Sequence, residues 1–283
     1  MNPYFSPRGI VKQATRPLWT HLSKTLRSSQ YRRLQIWHYY LRILRAQRFV
    51  HGSVRYLRKE ILFADRPSFL SEWDMIFVRE IYSLPPTLKA PFVIDIGANI
   101  GMAGIYFQTM FPSVRGYAIE PDPTIFPLLE QNLRAWGSLL SPIRAAAADV
   151  EADVEFISEG GDGGRLNNSS TPLLLGKEFR VPAIKVSCLI TQRVDLVKID
   201  VEGAELMVLR DIEAKLGLVD RIFVEAHSFV GGMPPYAEIL TILQRAGFRC
   251  SIETVNELHK PFALPQQSYN GIDGNVHIYG VRT

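Results

Sequence analysis

The chain of 283 residues can hold one α/β domain of about 200 residues plus an extension, and its 47% hydrophobic and 21% charged content excludes a wholly disordered protein. The net charge of +4 hides a split: residues 1–60 carry 13 Lys and Arg against one acid, Glu60, while the remainder carries 19 against 27, so the pI near 9.0 belongs to the N-terminal segment. No apolar run reaches the ~20 residues a bilayer needs, the first residues lack a secretory h-region, and Cys188 and Cys250 stand apart without ligand spacing; these features point to a cytoplasmic protein with neither a disulfide framework nor a structural zinc.

Three regions follow in chain order. Residues 1–60 form a basic, aromatic-rich extension. Within 31–59 the spacing of Leu34, Trp37, Leu41, Leu44 and Phe49 predicts an amphipathic helix. Its plainest role is a packing extension. Trp37, Tyr39 and Tyr40 among arginines would also suit peripheral contact with an anionic membrane surface; nucleic acid ranks last, because no recognised binding module accompanies the charge. Residues 61–90 read as a helical bridge with Trp73, Phe77, Ile81 and Leu84 on one face, stopped by Pro85-Pro86.

From residue 91 to 283 strands and helices alternate. Strands are expected at 92–96, 114–119 and 143–148, with helices over 102–111 and 124–136. Two further strands, 154–157 and 179–184, flank an insertion built from Glu159-Gly160-Gly161-Asp162-Gly163-Gly164, Arg165 and Asn167-Asn168-Ser169-Ser170, a candidate lid. Strands at 194–200, 221–226, 248–253 and 276–281 and helices over 204–216 and 236–246 complete the pattern, which predicts a Rossmann-like parallel sheet covered on both faces.

The sharpest signal is Asp95-Ile96-Gly97-Ala98-Asn99-Ile100-Gly101, between a strand and a helix. A dinucleotide site would call for G-x-G-x-x-G, with pyrophosphate on the helix end. Here the glycines are four apart, Asn99 replaces a middle glycine, and an acid precedes them. S-adenosylmethionine carries a sulfonium, an ammonium and a carboxylate and no phosphate, so Asp95 suits its cationic tail. Glu120 ends the second strand, where its two oxygens can accept both ribose hydroxyls. Asp149, at the end of the expected third strand, is a candidate for the adenine amino group.

These stretches resemble the FkbM-type S-adenosylmethionine-dependent methyltransferases. The matching motifs are Val93 to Gly101, Ile119-Glu120-Pro121 with Asn132-Leu133 in the next helix, Val197-Lys198-Ile199-Asp200-Val201-Glu202-Gly203-Ala204-Glu205, and Val224-Glu225-Ala226-His227. The resemblance implies a seven-stranded class I methyltransferase sheet and O-methylation of a small-molecule hydroxyl, on a saccharide or a natural product. A dinucleotide-dependent oxidoreductase is the enzyme alternative; a membrane- or nucleic-acid-associated protein with the same fold and no turnover is the other.

Asp200, Glu202 and Glu205 follow the fourth core strand. His227 is the first candidate for the base that takes the acceptor's proton, as a neutral imidazole, and Asp200 is the second. Lys198 reads as a structural ion pair. Asp200, Glu202 and His227 offer ligands to a divalent ion, but sequence alone does not bring them together, so no metal is assigned.

Overall fold

A computed structural model describes residues 47–167, 176–255, 268 and 271–282. His51–Thr283 make up one compact unit. Of the helix expected over 31–59, residues 31–46 lie outside the described residues. The remainder departs from it: Gly52–Tyr56 (β1) and Lys59–Phe63 (β2) pair as an antiparallel hairpin. Leu57 and Arg58 between them take positive φ, 47° and 66°, the backbone that a two-residue turn needs to match strand twist. Ile61 and Phe63 are buried on one face, a period of two rather than 3.6.

Asp65 caps the next helix, Arg66–Trp73 (α1), accepting from the Ser68 amide at 3.1 Å. It runs into a π-helical turn, Asp74–Val78. The bridge expected over 61–90 is therefore helical only over 66–78. It begins as strand, and Ile81 and Leu84 sit in irregular chain, held by aromatic packing: Trp73 stacks on Phe77 at 4.5 Å, and Tyr82 meets Phe223 edge-on at 4.9 Å.

The core follows as Phe92–Ile96 (β3), Met102–Met110 (α2), Arg115–Ile119 (β4), Phe126–Trp136 (α3) and Leu139–Ile143 (β5). Four short or antiparallel strands come next: Ala146–Ala147 (β6), Asp153–Ser158 (β7), Arg165–Leu166 (β8) and Lys177–Ile184 (β9). Then come Leu196–Ile199 (β10), Glu205–Ile212 (α4), Arg221–Phe229 (β11), Tyr236–Arg245 (α5), Phe248–Thr254 (β12) and Ile272–Arg282 (β13). The seven-stranded sheet has the order β12-β13-β11-β10-β3-β4-β5. In it β11, β10, β3, β4 and β5 pair in parallel, and β13 runs against both of its neighbours. β10 is buried throughout and β3 nearly so, as strands covered on both faces must be. The Rossmann-like class I methyltransferase sheet expected from the sequence is thus present.

The third strand is a correction. The strand pairing with β4 is Leu139–Ile143, not 143–148. Ala146 and Ala147 instead pair with β9, in a four-stranded sheet of order β6-β9-β7-β8. Pro142 is tolerated in β5 because β5 is the sheet's edge.

The hairpin is fastened to α3. Asn132, 1% exposed, accepts from the Leu62 amide at 2.8 Å and donates to the Leu62 and Ile100 carbonyls at 2.9 and 2.8 Å. The chain leaves β3 towards β4 and β5, then resumes at β10 on the other side. This reversal opens a crevice at the carboxyl ends of β3 and β10, where ligands bind in such sheets. Among the described residues no helix is long and apolar enough to cross a membrane.

Candidate active site

The crevice is a cavity floored by the glycine turn. Gly97 has φ +77°, and a Cβ there would lie 1.7 Å from the Asp200 carbonyl oxygen, so only glycine lets β10 approach this closely. Asn99 also takes positive φ, 47°. Its amide donates to Glu120 Oε2 at 2.9 Å, and its side chain donates to the Gly161 carbonyl at 3.4 Å, tying the floor to the insertion. Gly101 does not line the cavity. It starts α2 with φ +87°, and a Cβ would press on Leu129 at 2.8 Å, so its requirement is packing against α3.

Glu120 lines the cavity with both oxygens held: Oε1 accepts from the Asp122 amide at 2.9 Å while Oε2 takes that of Asn99. Burial pushes its carboxyl up to about 7, against the pull of those two amides. Each oxygen retains a lone pair for a hydroxyl donor.

Asp95 is fully buried and absent from the cavity wall. Lys198 comes between. Its ammonium lies 3.2 Å from Asp95 Oδ1 and 3.3 Å from Asp200 Oδ2 and donates to the Gly97 carbonyl at 2.8 Å. Burial would lower the lysine, but Asp95 and Asp200 override it and hold the ammonium charged. The structural ion pair expected for Lys198 is present, and it stands between Asp95 and any cationic ligand. Asp149 is exposed and lies outside the cavity, because the strand it was expected to end belongs to the other sheet. The wall at that end is apolar instead, formed by Ala145, Ala147, Phe156 and Leu166.

Asp200 and Glu202 also line the cavity. Burial and then Glu225 push Asp200 up to about 6, while Lys198 and His227 pull it down. Glu202 has φ +53°, and burial raises its carboxyl well above the usual range. His227 lies within β11 rather than beyond it, 3% exposed. Its Nδ1 is 2.8 Å from Glu205 Oε1, and its Nε2 is 3.7 Å from Glu202 and 3.9 Å from Glu225. Burial alone would lower its pKa; the carboxylates of Glu202, Glu205 and Glu225 raise it well above the ordinary value. These carboxylates favour the protonated imidazole over the neutral one expected from the sequence. Asp200, Glu202 and His227 nevertheless converge, with one ligand atom of each within 4.8 Å of the others.

Sequence reasoning missed Glu72 and Tyr82, which line the cavity from the segment preceding β3. Burial, reinforced by Asp162, raises the Glu72 carboxyl well above the usual range. No local motif marks these two; the aromatic spacing of the bridge was their only trace.

Comparison with known proteins converges on one family. The Methyltransferase FkbM domain model matches residues 95–250. Methyltransferase sdnD of Sordaria araneosa is 26% identical over 242 residues, covering 67% of this chain and 88% of that protein. 31-O-demethyl-FK506 methyltransferase FkbM of Streptomyces tacrolimicus is 26% identical over 230 residues, covering 70% and 82%. Hexuronic acid methyltransferase AglP of Haloferax volcanii is 27% identical over 168 residues, covering 57% and 65%. The domain match takes in more than half of the chain, from the acid of the glycine turn into β12, and so the protein belongs to the FkbM methyltransferase family, an enzyme that draws its methyl group from S-adenosylmethionine.

Proposed function

We propose that the acceptor is a hydroxyl of a small polyhydroxylated molecule, a saccharide or a similar natural product. The observation that carries this reading is the pair Asp200 and Glu202, which line the same cavity as the glycine turn and Glu120. Carboxylates accept O–H donors and so orient a polyol. The names of two relatives are in keeping with it: one is a hexuronic acid methyltransferase and one a 31-O-demethyl-FK506 methyltransferase.

In this reading the ribose hydroxyls lie on Glu120, the adenine lies in the apolar slot by Phe156, and the glycine floor from Gly97 to Asn99 supports the amino-acid end. Lys198 offers the donor's carboxylate an ammonium that Asp95 keeps charged, so Asp95 acts through Lys198. Transfer is an in-line displacement, and alignment of oxygen, methyl carbon and sulfur supplies much of the acceleration. Asp200, with its pKa near 6, is the base for the hydroxyl proton.

The test is incubation with S-adenosylmethionine and a panel of hexuronic acids, neutral sugars, polyols and amines, followed by mass spectrometry with fragment mapping. One methyl gained on a hydroxyl is expected. Methyl found only on nitrogen or carbon would overturn the acceptor class. Asp200→Asn should lower kcat by about 10²–10⁴-fold while S-adenosylhomocysteine affinity in calorimetry changes little.

A further inference from the structure

We propose that Asp200, Glu202 and His227 form a binding site for one divalent cation of the Mg²⁺ or Mn²⁺ kind, with Glu205 orienting the histidine. The cation site stands on the geometry below; its role in catalysis rests on the hydroxyl-acceptor reading above.

Three observations converge. First, one ligand atom of each of the three residues lies within 4.8 Å of the others, close enough for a small side-chain adjustment to bring them onto one octahedral ion, whose opposite ligands stand about 4.0–4.2 Å apart at Mg²⁺–oxygen distances of about 2.0–2.1 Å.

Second, the histidine is built as a ligand. Glu205, 1% exposed, faces Nδ1 at 2.8 Å and also accepts from the Gly203 amide at 2.8 Å. That couple places a proton on Nδ1, while Nε2 faces Glu202 at 3.7 Å and the Asn275 amide nitrogen at 3.4 Å; a cation at Nε2 would take the place of the second proton that the surrounding carboxylates favour in its absence. A buried carboxylate behind one ring nitrogen is the usual support of a metal-bound imidazole. Glu225, also near Nε2, is already occupied: Asn275 donates to it at 2.6 Å, and His277 Nε2 lies 3.3 Å from it.

Third, the backbone is bent to deliver Glu202. That residue holds φ +53°, and Gly203 holds φ +107° with the Phe229 ring 2.5 Å from where a Cβ would stand. A non-glycine residue kept in this region costs of order 1–3 kcal/mol and is characteristic of functional sites. The turn sets Glu202 beside Asp200 and His227, with the buried Arg165 guanidinium feeling the charge of Glu202. Lys198 is engaged by Asp95, Asp200 and the Gly97 carbonyl.

Two carboxylate oxygens and one imidazole leave positions open on an octahedral ion, which suits Mg²⁺ or Mn²⁺. Asp200 and Glu202 line the donor cavity, so those open positions face the acceptor. The ion would take the acceptor hydroxyl and a neighbouring oxygen and lower the hydroxyl's pKa. The hydroxyl proton passes to the Asp200 oxygen that does not ligate. The acceptor oxygen then forms the O–CH₃ bond as the S–CH₃ bond breaks, its electron pair staying on sulfur.

The experiment uses the full chain stripped with EDTA and desalted, with Mn²⁺ alone as probe, read by electron paramagnetic resonance and calorimetry. One Mn²⁺ per chain is expected, displaced by Mg²⁺. Glu202→Gln and His227→Asn should each weaken Mn²⁺ binding about 100-fold, and Glu205→Gln about 10-fold, with S-adenosylhomocysteine binding as the check that each variant is folded. Should either ligand variant fail to fold, the wild-type stoichiometry and Glu205→Gln decide. Absence of Mn²⁺ binding by the wild type up to millimolar concentration overturns the site, as does equal binding by the folded variants. A chain that binds Mn²⁺ but methylates no hydroxyl overturns the acceptor reading alone; one that methylates at full rate in EDTA overturns the cation's catalytic role.

Discussion

Single residues in this cleft are chosen by what stands within a few ångströms of them. Glu120 is the clearest case, because its carboxylate is fixed before any ligand arrives by the amides of Asn99 and Asp122. Ribose hydroxyls donating to it would make two charge-assisted hydrogen bonds, worth about 1.5–3 kcal/mol each. Glu120→Ala should therefore weaken S-adenosylhomocysteine binding by about 100-fold or more in calorimetry. The pH dependence has a definite sign. Its pKa near 7 means that the charged form, which the hydroxyls prefer, is lost as pH falls through 7. Affinity should drop between about pH 8 and pH 6 in the wild type and stay flat in Glu120→Gln; a wild type equally flat would remove the ribose from Glu120. Gly97 makes the complementary point. Alanine there combines positive φ with a backbone clash at 1.7 Å, so a loss of about 3 kcal/mol or more is expected. Gly137 also has positive φ, yet a Cβ there meets nothing within 4 Å. Gly137→Ala should cost only about 1 kcal/mol, and chemical denaturation of the two variants measures the difference.

Elements show where the sequence was readable and where it was not. The strand–turn–helix around Gly97 and the acid at the end of β4 could be read locally, because a glycine turn and a strand-end acid are set by neighbours in sequence. The third strand could not. The alanines at 145–148 look like an apolar strand, while Pro142 seems to forbid one, yet only position in the sheet decides: β5 lies at an edge and the alanines join another sheet. The hairpin was hidden for a related reason. Its apolar residues fit a helical spacing as readily as an alternating one, and the turn at Leu57 and Arg58 carries neither glycine nor asparagine to announce positive φ. What selects the hairpin is a tertiary partner, Asn132 of α3, with its three bonds to backbone groups at Leu62 and Ile100. Asn132→Ala leaves those groups unsatisfied in a buried place, at about 1–3 kcal/mol for each group that water cannot reach. A lowered melting temperature is expected, together with faster hydrogen exchange at Leu62 than at β3 amides. Unchanged exchange at Leu62 would show that the hairpin is held by its aromatic contacts instead.

At the scale of the whole molecule, the cleft concentrates charge that folding must bury, so stability should depend on pH in a way that reports on the site. Glu120 near 7 and Asp200 near 6 lie above their ordinary values of 4.5 and 3.8, with burial as the main cause in both. Such groups hold more protons folded than unfolded, so the stability they permit is present at low pH and declines as pH rises through about 4 to 7. His227 acts in the same direction at higher pH: its raised pKa contributes stability that is full below about 6.5 and fades above it. Glu225 is the opposite case. Burial would raise it, but the His277 imidazole 3.3 Å away, His227 and the Asn275 amide bring it down to about 2. Its contribution is complete above 4.5 and is lost as pH falls towards 2. The three windows together place maximal stability of the metal-stripped, ligand-free protein near pH 5, with a lower melting temperature at pH 8. In the proposed sites, S-adenosylhomocysteine at Glu120 and Mn²⁺ at Asp200 and Glu202 would both favour the charged carboxylates, so each should raise the melting temperature more at pH 8 than at pH 5. Differential scanning calorimetry at the two pH values, with and without each ligand, separates the contributions. If the stripped protein melted higher at pH 8 than at pH 5, the buried carboxylates could not be governing the stability of this fold.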